Sequence, residues 1–361
     1  MKQRQKIIAF HLLNDRSGSP KVLAQLIKSW SNEYDVNLYT SLHQEGFLSN
    51  LNGVTYHKGW YKFKKNPWAR LVYFCLSQLL LFFKMYPKIK KDDIVYVNTI
   101  LPFGAALLGK VKSCRVIYHI HESTVNPPIL KWFLFKVANL TASDVINVSK
   151  YVEDSHSLNN PKNHLVYNAI ENDFLNQVQS EEMNQKERKK VLMICSLKAY
   201  KGVFEFVALA ELNPNHDFKL VVNATLDEVN FFFKETVIPD NLSLFPSQKN
   251  VHPFYAWADV ILNLSRPDGW IETFGLTIIE GMAYKLPAIV PPVGGIMEVI
   301  ENGKTGYAVD SRNIQELNKS LNEILENQET YDSFSNQAFK RLELFKEENM
   351  TSQIKKIINS N

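Results

Sequence analysis

Only three cysteines occur in 361 residues, Cys75, Cys114 and Cys195, and an odd number so far apart excludes a disulfide framework and points to a reducing compartment. Two phosphate-binding signatures are also missing. No G-x-G-x-x-G and no G-x-x-x-x-G-K-[ST] occurs, which removes support for hydride transfer on a dinucleotide and for ATP chemistry. The longest uncharged apolar run, residues 71–83, is well short of the roughly 20 residues needed to span a bilayer. The start, MKQRQKIIAFHLL, passes into the polar NDRSGSP without a small-residue cleavage pattern, so it reads as a first strand and not as a signal peptide. A cytoplasmic protein is expected.

What is present is an ordinary globular composition, 45% hydrophobic and 22% charged, in a chain long enough for two cores. Short β-branched runs at 6–13, 93–99, 115–121, 145–148 and 165–167 alternate with helix-period segments, as in a parallel, doubly wound sheet. The polar stretch ENDFLNQVQSEEMNQKERKK then breaks the pattern. A second series follows, with strands expected at 191–196, 219–223, 242–245, 260–264, 288–290 and 307–309 and a helix at 203–212. The expected organisation is a first α/β domain over 1–170, a linker over 171–190, a second α/β domain over 191–340, and a C-terminal helix over 341–361 that packs back on the first domain.

The densest chemical signal is SRPDGWIETFGLTIIEGMAYKLPAIVPPVGGIMEVIENGKTGYAVD, residues 265–310. Glu272 falls in the loop that leaves a strand, Phe274-Gly275-Leu276 opens a helix, and Glu280 lies within that helix. A glycine-flanked helix start offers backbone amides to a phosphate, while carboxylates that stay ionised accept hydrogen bonds from sugar and ribose hydroxyls. The combination suggests a nucleotide sugar.

In its ordered string of Glu272, Phe274-Gly275, Glu280-Gly281, Pro287, Val293-Gly294-Gly295, Glu298 and Asn302-Gly303-Lys304-Thr305-Gly306, the block resembles the retaining glycosyltransferases of family 4. The resemblance implies a GT-B fold: two Rossmann-like domains, each a doubly wound parallel sheet, facing an interdomain cleft. It extends to CSLKAYKG, residues 195–202, which is similar to the family's phosphate loop. There Lys201 matches the lysine that binds the donor diphosphate, whereas Ser196 stands where the family usually has an arginine. Lys198 is either a substitute for that arginine or a surface lysine on a turn.

In RVIYHIHE, residues 115–122, His121 matches the family's strand-end histidine, with an implied hydrogen bond to the donor sugar. His119 is read, from strand alternation, as facing the other way and structural. Gly18, in the loop NDRSGSP, stands at the family's glycine loop, where the backbone approaches donor or acceptor. Asn168, in VYNAI, is read as capping a turn. Donor contacts are thus expected from Gly18, Ser196, Lys198, Lys201, Phe274, Gly275, Leu276, Glu280, Gly294 and Gly295, and catalytic ones from His121, Lys201 and Glu272.

The chain has no Asp-x-Asp triplet, the metal-diphosphate clamp of the other major glycosyltransferase architecture, so no metal and no cofactor are expected beyond the nucleotide-diphosphate sugar as co-substrate. The departing diphosphate would be stabilised by Lys201, backbone amides and helix N-termini. Family resemblance implies retention by front-face attack, with Glu272 holding sugar hydroxyls and Glu280 the ribose.

The net charge of +4 hides a local excess: residues 61–91 hold eight Lys/Arg and no Asp or Glu. Lys62, Lys64, Lys65 and Arg70 lie among Trp68 and other aromatics, a composition attracted to anionic lipid headgroups. The competing reading is a core helix with solvated flanking lysines. No nucleic-acid motif accompanies the charge. The patch favours a peripheral station on the inner face of the cell membrane and a glycan acceptor linked to a polyprenyl diphosphate, in surface-polysaccharide synthesis. Two alternatives remain, a nucleotide-sugar 2-epimerase and a catalytically silent nucleotide-sugar-binding protein.

Overall fold

The computed structural model describes residues 4–41, 45–64, 66–178 and 189–360. The chain divides into two compact units, residues 1–168 with 350–361 and residues 169–349.

The first unit contains β1 (Lys6–Leu13), α1 (Gly18–Trp30), β2 (Asp35–Ser41), β3 (Val54–Gly59), α2 (Pro67–Met85), β4 (Ile94–Asn98), α3 (Phe103–Val111), β5 (Arg115–Ile120), α4 (Pro128–Thr141), β6 (Asp144–Asn147), α5 (Lys150–Asp154) and β7 (Lys162–Leu165). Its strands form one parallel sheet in the order β3-β2-β1-β4-β5-β6-β7. Central strands such as IVYVN of β4 are buried throughout, as a parallel sheet covered on both faces requires. Strands β2 and β3 were not anticipated, and β7 lies two to three residues before the expected 165–167, because polar residues, at the sheet edge in β3 and β7 and buried in β2, blur the apolar run that marks a strand. Asn168 does not cap through its Oδ1, which is buried without a partner.

Helix α2 has a well-defined start. Pro67 occupies the first turn, and Asn66 Oδ1 accepts from the backbone N–H groups of Trp68 and Ala69 at 3.0 and 3.1 Å, satisfying donors that have no intrahelical partner. Its inner face, with Phe74, Leu81 and Met85, joins Ala105 and Leu108 of α3 and Leu134 and Ala138 of α4 in a core with Val95, Val97, Val116 and Tyr118 of the sheet.

The second unit contains α6 (Asn172–Val178), β8 (Lys190–Cys195), α7 (Val203–Leu212), β9 (Asp217–Val222), α8 (Leu226–Phe232), β10 (Leu242–Phe245), α9 (His252–Trp257), β11 (Val260–Leu262), α10 (Leu276–Ala283), β12 (Ala288–Val290), α11 (Ile296–Val299), β13 (Gly306–Ala308), α12 (Ile314–Glu326) and α13 (Gln328–Arg341). Its sheet is parallel in the order β10-β9-β8-β11-β12-β13. The expected linker is not featureless: its residues 172–178 form α6, whose Phe174 is buried against the rings of His252, Tyr255 and Tyr284. Residues 179–188 of that stretch lie outside the described residues.

The last helix, α14 (Glu347–Asn359), belongs from Met350 onward to the first unit. There Tyr34 Oη donates to Asn359 Oδ1 at 2.8 Å, and Arg115 donates to the Ile357 carbonyl at 2.6 Å while pairing with Asp144 at 2.7 Å.

Each sheet reverses direction once, between β1 and β4 in the first unit and between β8 and β11 in the second. Loops leaving two such strands diverge to opposite faces, and the crevice at their carboxyl ends is where open α/β sheets bind ligands.

Candidate active site

The switch point of the second unit gathers the residues that the sequence singled out. After β8 the chain makes a short turn, Ala199–Lys201, closed by Gly202 at φ +78°. A Cβ on Gly202 would lie 2.1 Å from the Leu264 carbonyl oxygen, so only glycine lets this turn sit against the loop that leaves β11. The same packing delivers Lys201 to Glu272. Lys201 Nζ stands 2.5 Å from Glu272 Oε1, which also accepts from Ser265 Oγ at 2.6 Å and Asn263 Nδ2 at 3.3 Å. Glu272 Oε2 accepts from Trp270 Nε1 at 3.3 Å. Burial pushes the Glu272 carboxyl up, but the Lys201 ammonium and the hydrogen bonds from Lys201, Ser265 and Asn263 outweigh it and leave the group below its ordinary value. Glu272 is therefore an ionised acceptor at neutral pH, not a proton donor.

An aromatic wall stands beside this pair. The Trp270 ring stacks on Tyr200 with centroids 5.8 Å apart, and Lys201 Nζ lies 5.0 Å from the Trp270 centroid. Arg266 N donates to the Tyr200 carbonyl at 2.8 Å, tying the two loops together. Sequence reading reached the stretch 265–270 without finding roles in it. The spacing of Trp270 and Glu272, two residues apart in a loop, carries no signal until the fold turns both toward Lys201.

Other expected donor residues are placed differently. Lys198 is exposed; after the hydrogen bonds from Thr225, its charge is among the influences that hold Glu228 low, and it is absent from those acting on Glu272. Ser196 contributes a carbonyl to the turn, accepting from Lys198 N at 2.8 Å. The Phe274 side chain is buried edge-on against Phe345, with centroids 5.7 Å apart, so its ring belongs to the core. Gly275 and Leu276 form the start of α10. Glu280 lies inside α10, buried, and accepts from Tyr255 Oη at 2.6 Å. Gly294, at φ +102°, brings its backbone so close to Glu272 that a Cβ would meet the Glu272 carbonyl oxygen at 2.3 Å; Gly295 follows it at the cap of α11.

In the first unit the corresponding switch point holds three histidines around one amide. Asn98 Nδ2 donates to His11 Nδ1 at 3.0 Å and to the Ser19 carbonyl at 3.1 Å, which turns its Oδ1 toward His121 Nε2 at 3.1 Å. His121 therefore donates through Nε2, and its Nδ1 is a lone-pair acceptor. His119 does not face away. Its ring centroid is 4.4 Å from that of His121, because residues two apart in a strand share a face. His119 Nδ1 is 2.8 Å from Tyr96 Oη. Burial lowers all three imidazoles, His11 to about 4 and His119 to about 3, and neighbouring His119 and His11 add to the lowering at His121. All are neutral at pH 7. Burial raises Glu122, the acid that follows His121, to about 7. Asn98, the hinge of this network, was not found in the sequence, since a lone asparagine at a strand end has many ordinary uses. Gly18 is the first residue of α1 after Ser17 and has no positive φ. It opens a helix and does not loosen a loop.

Residues 176–341 match the model of the family described as glycosyl transferases group 1. The chain is a glycosyltransferase. The transferase is 28% identical over 288 residues to the N-acetyl-alpha-D-glucosaminyl L-malate synthase of Bacillus anthracis, covering 73% of this chain and 74% of that one. An uncharacterized glycosyltransferase of Methanocaldococcus jannaschii is 24% identical, with 80% and 85% covered. Among solved structures, the Anabaena protein HepE in complex with UDP and glucose is similar to the transferase at a TM-score of 0.79 and 17% identity, over 99% of this chain and 100% of that one. A sucrose-phosphate synthase from Thermosynechococcus elongatus reaches 0.78 at 16% identity, with 98% of each chain covered. Both sheets of the transferase thus belong to the GT-B fold.

Proposed function

We propose that the transferase moves a sugar from a UDP- or GDP-linked donor to a glycan hydroxyl, with retention of configuration and without a metal. The observation that carries this reading is the Lys201–Glu272 pair at the β8/β11 switch point, where one cation and one ionised carboxylate meet within 2.5 Å. A donor diphosphate entering here takes the Lys201 ammonium, and Glu272, already ionised, turns its oxygens to sugar hydroxyls. Leaving-group charge is stabilised by Lys201 and by backbone amides near Gly202, Gly275 and Gly294-Gly295. Glu280, fixed by Tyr255, holds the ribose. His121 accepts a sugar hydroxyl through Nδ1, a role that suits an imidazole neutral at pH 7.

The proposal of metal independence rests on the sequence, which has no Asp-x-Asp triplet. The acceptor is proposed to be a polyprenyl-diphosphate-linked glycan at the cytoplasmic face of a membrane. This rests on Lys62, Lys64, Trp68 and Arg70, of which Lys62 and Trp68 are exposed; Lys65 lies outside the described residues.

A panel of nucleotide sugars, scored for hydrolysis and for protection against thermal unfolding in the presence of EDTA, tests the donor and the metal together. One donor that both stabilises the chain and is turned over, with the anomeric outcome read by NMR, supports the reading. Free nucleotide sugar epimerised at C2 would replace it with an epimerase, and protection without turnover would replace it with a binding protein.

A further inference from the structure

Helices α2, α3 and α4 contain no Asp, Glu or His. They connect β3 to β4, β4 to β5 and β5 to β6, three crossovers in the same direction along the sheet, so the right-handed rule puts all three on one face. Their inner sides are in the core described above. Their outer sides carry twelve of the twenty-five exposed large hydrophobic residues of the described chain, among them Trp68 at 79%, Phe83 at 71%, Ile129 at 74% and Trp132 at 60% exposure. With ~150–200 Å² per side chain, these twelve present on the order of 1,000 Å² of apolar surface, against the few hundred ordinarily exposed by a monomer.

We infer that this three-helix layer seats the first unit in the interfacial region of an anionic bilayer, with the helices lying in the membrane plane. Helix α2 is long and apolar enough to cross a membrane by composition, but only 28% of its most apolar window is buried, and the buried side holds Phe74, Leu81 and Met85 in the core. A helix anchored to a sheet along one side cannot thread the bilayer; it can present its other side to acyl chains. Cations are interspersed with the apolar residues. Lys136 lies 4.7 Å over the Trp132 ring and Arg70 5.0 Å over Phe63, while Lys84 and Lys131 donate to the carbonyls of Lys58 and Ser123 at 2.7 and 2.6 Å. Aromatic rings and basic side chains with no carboxylates among them are what a negatively charged lipid interface takes up.

Charge decides against a second copy of the chain. Two such faces in contact would bring Arg70, Lys84, Lys131 and Lys136 against their own images with no Asp or Glu on the three helices to offset them. The inference deepens the membrane contact proposed above and is independent of which donor is used.

Sedimentation of the full chain with phosphatidylcholine vesicles, with and without phosphatidylglycerol, tests it. The wild type is expected to pellet with anionic vesicles. Ile129→Glu with Trp132→Glu, both on the outer face of α4, should bind at least about tenfold more weakly, with unchanged far-UV circular dichroism and unchanged donor hydrolysis in solution. Trp68→Glu with Phe83→Glu on α2 should do the same, so that a folding failure in one pair leaves the other to decide. A wild type that stays in the supernatant at low salt, or glutamate variants that pellet like it, would overturn the inference. So would a soluble dimer that the glutamates dissociate while vesicles bind nothing. In each of these outcomes donor hydrolysis still reports separately on the proposed transfer.

Discussion

Lys201 and Glu272 form an ion pair of 2.5 Å in which the two side chains retain 14% and 16% of their exposure. Each neutralises the other in the absence of donor, so removing either leaves a charge stranded in a poorly hydrated site. Lys201→Ala is expected to destabilise the chain by about 3 kcal/mol and Lys201→Ala with Glu272→Ala by less, because the double variant strands no charge. Both should lose at least about two orders of magnitude in donor turnover. Urea unfolding and donor hydrolysis, measured on the same three proteins, check the separation of stability from function; near-normal transfer by Glu272→Ala would sink the role given to this residue.

Tyr255 is fully buried and donates to Glu280 at 2.6 Å. Tyr255→Phe keeps the ring and removes that hydrogen bond, at an expected cost of about 1.5–3 kcal/mol, the range for a bond to a charged group. If Glu280 holds the ribose, the nucleotide Kd rises as well. Calorimetric titration with UDP and with GDP distinguishes this from a purely structural loss, which would leave Kd unchanged in the folded protein.

The histidine cluster makes the first unit sensitive to acid. His11 titrates at about 4 and His119 at about 3 in the folded chain, below the 6.5 of an ordinary imidazole. Between these values the unfolded chain binds more protons than the folded one. The histidine contribution is therefore complete above pH 6.5 and falls as pH drops toward 4 and below, by on the order of 3 kcal/mol per buried histidine. Glu122, raised to about 7, takes up a proton on folding and offsets about one proton of that slope between about pH 4.5 and pH 7. Glu272 acts in a lower window. Its folded value lies below 4.5, so its contribution is present above that pH and lost beneath it. Urea midpoints from pH 7 to pH 4 should show the histidine slope, and His119→Asn should reduce it by about one proton.

Glycine at 202 is a steric requirement, which Gly303 can calibrate. Both have positive φ, +78° and +75°, but a Cβ at 202 meets a carbonyl oxygen at 2.1 Å while one at 303 meets nothing within 4 Å. Gly303→Ala should cost about 1 kcal/mol, the strain of the left-handed backbone alone. Gly202→Ala should cost at least about 1 kcal/mol more than that and disturb Lys201 with it. Thermal unfolding of the two variants side by side measures the difference.

Much of this architecture was legible in residue order. The central strands β1, β8, β11 and β12 announce themselves as apolar runs, and Glu272, Lys201 and Gly294 stand in a string whose order is itself informative. Edge strands β3 and β7 were hidden or displaced because most of their residues keep some access to water, and the interior strand β2 was hidden because Asn37, Thr40 and Ser41, though buried, interrupt its apolar run. Asn98, Tyr255 and Trp270 escaped notice for another reason. Each matters through a partner distant in sequence or turned toward it only by the fold: His11 and His121 for Asn98, Glu280 for Tyr255, Lys201 for Trp270. The reading of His119 failed on a simpler point, since period two returns a side chain to the same face. The ring of Phe274 lies in the core, since an aromatic beside a glycine turn serves packing as readily as a ligand.

The layer formed by α2, α3 and α4 has one more consequence. With no carboxylate and no imidazole on the three helices, none of their side chains has its ordinary titration range between about pH 5 and pH 7. The attraction of this surface for an anionic interface is then set by ionic strength and lipid composition alone. On the membrane contact proposed above, acidification that weakens the histidine cluster leaves the affinity of these helices for lipid unaltered, so that folding stability and lipid contact respond to different variables.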